Sequence, residues 1–280
     1  MIVSQEINGK SIYYIDSEDP VVRYIKNKQL YGYHNWVILN KFILDTNENS
    51  YILDCGSHIG TFSFIPAMFD NKKMILIDGA SKNTDCLEKT FNGISNVEIH
   101  NKILLDSSRK CSFNSDYGPF GSAKNDDNGA FTSSTIDDIV DGRPVSAIKL
   151  DIEGNEAQAL LGATKTLNSN KPPMLIEVNG HCLRLQNRRP KDLFDVLDSI
   201  DYRYFLIDGQ NLINIDKEEI FPFCVIDIIA IHKDIVQKYS NKYNFSKPIP
   251  KFQLISIAKN GYDNSNEDCK KYFDTMNLFY

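Results

Sequence analysis

The chain has 280 residues, with 31 basic against 37 acidic side chains and a formal charge of −6. Hydrophobic residues make up 42% and charged residues 24%, with 15 glycines and 10 prolines, which excludes collagen-like, disordered and low-complexity classes. A chain of this size buries a large core in one large domain or two small ones, and its net acidity argues against gripping nucleic acid by counter-charge.

The first residues, MIVSQEINGK, lack the basic start and apolar run of a secretory leader. The longest apolar stretch, Phe223–Ile231, is about half of what a membrane span needs. Six cysteines (Cys55, Cys86, Cys111, Cys182, Cys224, Cys269) are scattered with no C-x-x-C pair. Free thiols in a cytoplasmic protein are therefore expected, rather than a zinc site or disulfide lattice.

Residues 1–49 mix short aromatic and apolar patches and read as a short strand followed by helices, an N-terminal extension packing on the core. From Ser50 a regular alternation begins. Tyr51–Cys55 and Met74–Ile77 read as strands, Ile59–Phe69 and Asn83–Phe91 as helices, and Val97–Leu105 as a third strand. The stretch 107–134, rich in Ser, Asn, Asp and Gly, predicts a small hairpin and a mobile loop. Regularity resumes with strand Ala147–Leu150, helix Glu156–Leu167, strand Met174–Val178, helix Lys191–Ile200 and strand Tyr204–Ile207. Val225–His232 follows without a clear intervening helix and is expected to pair antiparallel. Such alternation predicts an α/β fold with a doubly wound, mostly parallel sheet of about seven strands, the last antiparallel. Residues 234–280 form a polar tail studded with aromatics, expected to fold back or to meet a partner subunit, which keeps a homodimer open.

Three strand ends carry the chemistry. Asp54-Cys55-Gly56-Ser57-His58-Ile59-Gly60 closes the first regular strand. Its glycines suit a tight turn into a helix and a close backbone approach. A dinucleotide turn needs G-x-G-x-x-G to seat a pyrophosphate on the helix N-terminus, and that pattern is missing. An acid facing the loop would repel phosphate and suit a cationic group such as the amine of a methionine-like moiety, so the spacing favours S-adenosylmethionine over NAD. Asp78 ends the second strand, where an acid can accept both hydroxyls of a ribose. Lys149-Leu150-Asp151-Ile152-Glu153-Gly154-Asn155-Glu156 crowds three carboxylates where a strand turns into a helix. Asp151 and Glu153 fall at the carboxyl edge of the sheet, and Glu156 suits a helix N-terminus.

Together these segments resemble the FkbM family of S-adenosylmethionine-dependent methyltransferases. That family pairs a D-x-G-x-x-x-G turn with an I-K-x-D-x-E-G-x-E block, a following G-A helix and a P-x-x-x-x-E strand. Here they are Asp54–Gly60, Ile148–Glu156, Gly162-Ala163 and Pro172–Glu177, within a likeness running over 36–208. The resemblance implies a Rossmann-like fold over residues 50–233, S-adenosylmethionine as cofactor, and O-methylation, often of a sugar hydroxyl in a glycan or natural product. Asp54, Gly56, Ser57, His58, Gly60, Asp78 and Gly79 are then the cofactor-binding candidates. Two departures stand out: Ser57-His58 replaces the family's usual Ala-Asn, and Asp78-Gly79 its Glu-Pro. The second keeps the carboxylate, and His58 reads as a tolerated variant rather than a catalyst.

A sugar hydroxyl is a weak nucleophile, so its proton must be removed as the methyl group arrives. Candidates for the chemistry are Asp151, Glu153 and His181, with Glu177, Asn179 and Arg184 facing the acceptor. Two schemes stay open: His181 or a carboxylate as general base, or a divalent metal held by Asp151 with Glu177 or Asn179. The metal is the less favoured. Glu177 could instead pair with Lys149. Arg184, Arg188 and Arg189 could clamp an anionic acceptor, and Tyr117, Phe120 and Phe131 could close over a sugar or the cofactor. The expected partner is a small-molecule or glycan acceptor, without nucleic acid or a membrane span. A different acceptor, such as a macrocycle or phenol, and a non-catalytic cofactor-binding subunit are the alternatives.

Overall fold

The computed structural model describes residues 1–44, 48–114, 122–208, 211–218 and 225–246. It begins with a hairpin, β1 (Ile2–Ile7) and β2 (Lys10–Ile15), whose turn residues Asn8 and Gly9 both have positive φ, as a tight antiparallel turn requires. Helix α1 (Pro20–Lys26) is capped by Asp19, whose Oδ1 accepts from the Val21 amide at 2.7 Å, and α2 (Tyr33–Asn40) follows. Two crossover units come next: β3 (Tyr51–Cys55), α3 (Thr61–Met68), β4 (Lys73–Asp78), α4 (Ser81–Thr90) and β5 (Val97–Asn101). Strands β6 (Ile103–Leu104), β7 (Lys110–Asn114), β8 (Ser122–Asn125) and β9 (Phe131–Ser134) make a small separate sheet in the order β6-β9-β7-β8. Then come α5 (Ile136–Val140), β10 (Val145–Leu150), α6 (Glu156–Leu161), α7 (Thr164–Asn170), β11 (Met174–Asn179), α8 (Gly180–Leu185) and α9 (Pro190–Ser199). The chain continues through β12 (Tyr202–Asp208), β13 (Asn211–Asn214), β14 (Val225–His232), α10 (Lys233–Val236) and β15 (Asn244–Ser246).

The main sheet runs β15-β13-β12-β14-β11-β10-β3-β4-β5. Strands β3, β4, β5, β10 and β11 pair in parallel, and β14 inserts between β11 and β12 antiparallel to both. The expected doubly wound core is present, with Val225–His232 as its reversed strand. The sheet is wider than expected because β13 pairs antiparallel with β12 and β15 adds to its outer side.

Burial on both faces explains why the strands read as continuous apolar runs. Alternate residues serve opposite layers: Leu53, Ile75, Ile148, Ile176 and Ile228 pack with Leu160, Phe194 and Leu197, while Ile52, Met74, Ala147, Leu175 and Ile229 pack with Trp36, Phe62 and Leu87. At the far end Tyr239 is buried with its hydroxyl on the Phe42 carbonyl, and Tyr243 stacks on the Phe42 ring at 4.8 Å. Phe252, Tyr262, Tyr272 and Phe273 of the tail lie outside the described residues. Cys55, Cys86, Cys111 and Cys182 are buried free thiols. Among the described residues no helix is long and apolar enough to cross a membrane.

Two expected elements divide. Val97–Leu105 breaks at Lys102, whose amide turns back to the Asp78 and His100 carbonyls, each at 3.1 Å, and sends Ile103-Leu104 into the small sheet. Helix 156–167 breaks at Gly162, where a Cβ would come within 2.4 Å of the Leu105 carbonyl oxygen. It restarts as α7 because Asp137 accepts from the Lys165 and Thr166 amides at 2.9 and 2.8 Å, supplying a cap from another helix.

Candidate active site

The carboxyl ends of β3, β4, β10 and β11 meet the start of β14 along one edge of the sheet, which is where open α/β folds bind ligands. At the end of β3, Asp54 is wholly buried. Its Oδ2 accepts from Ser63 Oγ at 2.6 Å and its Oδ1 lies 3.3 Å from Lys149 Nζ. The same ammonium lies 3.2 Å from Asp151 Oδ2 and donates to the Gly56 carbonyl at 3.0 Å. Burial alone would lower the lysine pKa, but Asp151 and Asp54 outweigh it and hold the group above its ordinary range. Asp54, expected to face a ligand, has its charge matched by Lys149 inside the protein. Lys149, taken from sequence as a partner for Glu177, instead ties the β3 and β10 ends together.

The turn after β3 is closed on itself. The Gly56 and Ser57 amides both donate to the Ile77 carbonyl at 2.9 and 3.1 Å, and the Gly60 amide donates to the Ser57 carbonyl at 2.8 Å. Ser57 Oγ donates to the Asp54 carbonyl at 2.6 Å and accepts from the Ile77 amide at 2.9 Å, so this side chain serves the turn. Gly56 has φ +79°, and a Cβ there would sit 1.7 Å from the Asp151 carbonyl oxygen. The close approach expected of this glycine is therefore to the neighbouring loop's backbone.

Asp78 is nearly buried at the end of β4 and accepts three N–H bonds. Oδ2 takes the His58 amide at 2.8 Å, and Oδ1 takes the Ala80 amide at 2.9 Å and Asn83 Nδ2 at 3.1 Å. The carboxylate therefore joins the first turn to the second. His58 itself has positive φ, and its Nε2 lies 3.5 Å from Asp19 Oδ2, a contact with the N-terminal extension. Gly79 lies under the Phe113 and Ile103 side chains. Phe131 is exposed and meets Phe113 edge-on at 5.8 Å, whereas Tyr117 and Phe120 fall outside the described residues, as does 115–121 of the expected mobile loop.

The acid edge follows β10. Glu153 (φ +55°) and Gly154 (φ +93°) curl the chain so that buried Glu156 accepts from the Ile152 and Gly154 amides at 3.0 and 3.1 Å. Its other oxygen is buried with no hydrogen-bond partner among the described residues. Burial, against the pull of those backbone bonds, pushes the Glu156 carboxyl up to about 7 from 4.5. The folded chain then binds this proton more tightly than the unfolded chain. The resulting stability is complete below the unfolded value and is lost as pH rises through 7, a difference of about 3 kcal/mol. The thermal midpoint is expected to fall between about pH 5 and pH 8, with a shallower slope in Glu156→Gln, which keeps an acceptor for both amides. An unchanged slope in that variant would refute the assignment.

Asp151, Glu153 and Glu177 bring carboxylate oxygens within 4.8 Å of one another. Glu153 Oε2 accepts from Cys182 Sγ at 2.9 Å and Asn179 Nδ2 at 3.1 Å. Burial and the charge of Asp151 push the Glu153 carboxyl up to about 8, and burial with Asp151 and Glu153 holds Glu177 well above the carboxylate range. Asn179 departs from its expected metal-ligand role. Its Oδ1 caps α8 by accepting the Cys182 amide at 3.2 Å, and it turns N–H groups toward Glu153 and Glu177. The carboxylates that could together hold a metal ion are Asp151, Glu153 and Glu177.

His181 is exposed on the first turn of α8, and Arg184 is exposed further along it. The expected arginine clamp separates. Arg188 donates to the Gly154 carbonyl at 2.9 Å and supports the acid loop, while Arg189 pairs with Asp192 at the start of α9. Three residues of this edge were missed from sequence. Asp227 on β14 stands opposite Glu177 in the antiparallel register, Asn35 of α2 approaches it, and the Tyr31 hydroxyl lies within electrostatic reach of Glu177, Asp151 and Asp227.

A family model described as the methyltransferase FkbM domain matches residues 54–204, just over half of the chain. No curated protein matches it. Among solved structures, methyltransferase FkbM from Methylobacillus flagellatus KT is 19% identical, with a TM-score of 0.44, over 76% of this chain and 52% of that one. The chain thus spans about half the length of that protein. The Methanococcus jannaschii fibrillarin pre-rRNA processing protein is 13% identical over 83% of this chain and 88% of that one, with a TM-score of 0.44. M. jannaschii TYW2 in complex with AdoMet is 13% identical over 82% and 84%, with a TM-score of 0.41.

Proposed function

The chain belongs to the FkbM methyltransferase family, and from that premise we propose that it moves a methyl group from S-adenosylmethionine to a hydroxyl oxygen of a sugar, in a glycan or a glycosylated small molecule. On this reading residues 50–233 are the methyltransferase domain, with 1–49 packed on it and 234–280 as a tail.

The observation that carries the cofactor assignment is the commitment of the turn amides. Those of Gly56, Ser57, His58 and Gly60 are all spent inside the protein, and carboxylates crowd the adjoining edge. Such a turn offers pyrophosphate little to hold, while the acid edge favours a cationic sulfonium and amine. The residues therefore fit S-adenosylmethionine. Asp78, whose Oδ2 accepts one hydrogen bond and has capacity for a second, would hold ribose hydroxyls, and the Gly56–Gly60 turn with Gly79 would border the remainder.

When bound, S-adenosylmethionine supplies an electrophilic methyl carbon. The chain's residues orient the acceptor hydroxyl and take its proton as the oxygen–methyl bond forms. We assign that proton to Asp151, whose side chain is one-third exposed and anchored by Lys149, rather than to His181 on α8. Glu153, its carboxyl pushed up to about 8 by burial and the charge of Asp151, retains a proton near neutrality and can donate a hydrogen bond to the sugar, and burial with the same neighbouring charge raises Glu177 as well. A second reading, favoured by three carboxylate oxygens within 4.8 Å, places a divalent cation on Asp151, Glu153 and Glu177.

Calorimetry with S-adenosylhomocysteine is expected to show binding that Asp78→Ala weakens more than tenfold, about 1.4 kcal/mol or more. Unchanged affinity would remove Asp78 from the cofactor site. A methyl-transfer screen over sugars and glycans with labelled cofactor tests the acceptor class, and turnover confined to phenols or macrocycles would overturn it.

A further inference from the structure

The segment that matches the family model supplies both cofactor turns and three of the acids, yet the edge also draws on residues outside it. Asp227 lies directly opposite Glu177 on neighbouring antiparallel strands, so both side chains project from the same face of the sheet. Asn35 reaches Asp227 from α2. Helix α2 is anchored by buried Trp36 and Leu39, with Trp36 Nε1 donating to Asp70 Oδ2 at 3.1 Å. The Asn35 carbonyl oxygen is itself buried without a hydrogen-bond partner among the described residues. The side chain that approaches Asp227 thus keeps an unmatched acceptor, an arrangement that stability alone does not select. Tyr31, just before α2, completes the wall. It leaves 46% of its surface open, rests edge-on against Tyr24 at 5.4 Å, and has its hydroxyl within electrostatic reach of Glu177, Asp151 and Asp227.

We infer that Tyr31 and Asp227 bind the acceptor, with Asn35 positioning Asp227, so that a neutral pyranoside stacks one ring face on Tyr31 and directs vicinal hydroxyls to Asp227 and Glu177. This rests on the proposed sugar acceptor and adds to it that acceptor recognition lies outside the family-matched segment. The chemistry is that of a sugar: C–H groups for the exposed tyrosine ring, one hydroxyl to donate to Asp227 and another to hydrogen-bond the Glu177 carboxyl, while Lys149 pairs with Asp54 and Asp151. Arg188 and Arg189 are engaged on the Gly154 carbonyl and on Asp192.

The test is saturation-transfer NMR on the full chain saturated with S-adenosylhomocysteine, using the methyl glycosides of glucose, galactose, mannose and rhamnose as probes. The wild type is expected to give ring-proton signals with at least one of them. Tyr31→Ala and Asp227→Asn should each weaken that binding tenfold or more, with S-adenosylhomocysteine affinity unchanged. Asn35→Ala should reproduce the Asp227→Asn loss while cofactor-product affinity and thermal midpoint hold, a split that a merely structural role would not produce. Glycoside binding that survives in Tyr31→Ala and Asp227→Asn overturns this inference and leaves the sugar reading standing. Absence of binding to the wild type overturns both, and the S-adenosylhomocysteine measurement separately reports on the cofactor assignment.

Discussion

Asp151→Asn is expected to lower methyl transfer by about 10²–10⁴-fold while leaving S-adenosylhomocysteine affinity within a few-fold of the wild type. The amide preserves volume and can still accept from Lys149 Nζ, which lies 3.2 Å from Asp151 Oδ2. It has no basic oxygen with which to take the acceptor's proton. Lys149 keeps Asp54 and the Gly56 carbonyl as partners, so the turn that faces the cofactor stays assembled. Single-turnover rates and calorimetry on the same preparation separate the two effects. Full activity in the variant excludes Asp151 from proton transfer. A chelator arm distinguishes the carboxylate scheme from the metal scheme, because a general base leaves the wild-type rate insensitive to EDTA whereas a divalent cation on Asp151, Glu153 and Glu177 does not.

Gly56→Ala is expected to destabilise the fold by about 4 kcal/mol, or roughly 10 °C in thermal midpoint. Two costs combine. The residue has φ +79°, and its Cβ would sit 1.7 Å from the Asp151 oxygen and 2.8 Å from the Asp151 carbonyl carbon, so the obstruction is backbone that no rotamer can clear. Relief requires the β3 and β10 ends to part, against the Asp151 amide bond to the Cys55 carbonyl at 3.0 Å and the Lys149 bond to Gly56. Gly142→Ala is the control: φ is +72° but the space around it is open, so only the conformational cost remains, about 1 kcal/mol. Differential scanning calorimetry compares the two, and equal melting shifts would show that the approach of the loops is not what demands a glycine at position 56.

The contrast between Gly56 and Asp54 shows how far local spacing reaches. Both were legible as special residues at a strand end, because the run of apolar residues, the acid and the two glycines are encoded within ten consecutive positions. Their reasons were not legible. Asp54 was read as facing a cation in the ligand, yet its cation is Lys149, 95 residues further along the chain. Asn179 was similarly found at the right strand end and given the wrong atom, since its oxygen caps α8 and only its N–H groups reach the carboxylates. Gly162-Ala163 was recognised, but the need to interrupt the helix there came from Leu105 and Asp137 in distant elements.

The sequence by itself determined the alternation of strands and helices, the reversed final strand and the three strand ends where the chemistry gathers. Each of these follows from hydrophobic period, turn residues or motif spacing within a short window. Only the tertiary structure decided that Tyr31, Asn35 and Asp227 stand beside Glu177. Their meeting depends on the register between β11 and β14 and on where α2 docks. Register is set by the packing of whole faces, and a slip of one residue would send Asp227 to the opposite side of the sheet. No local pattern around any of the three residues carries that information.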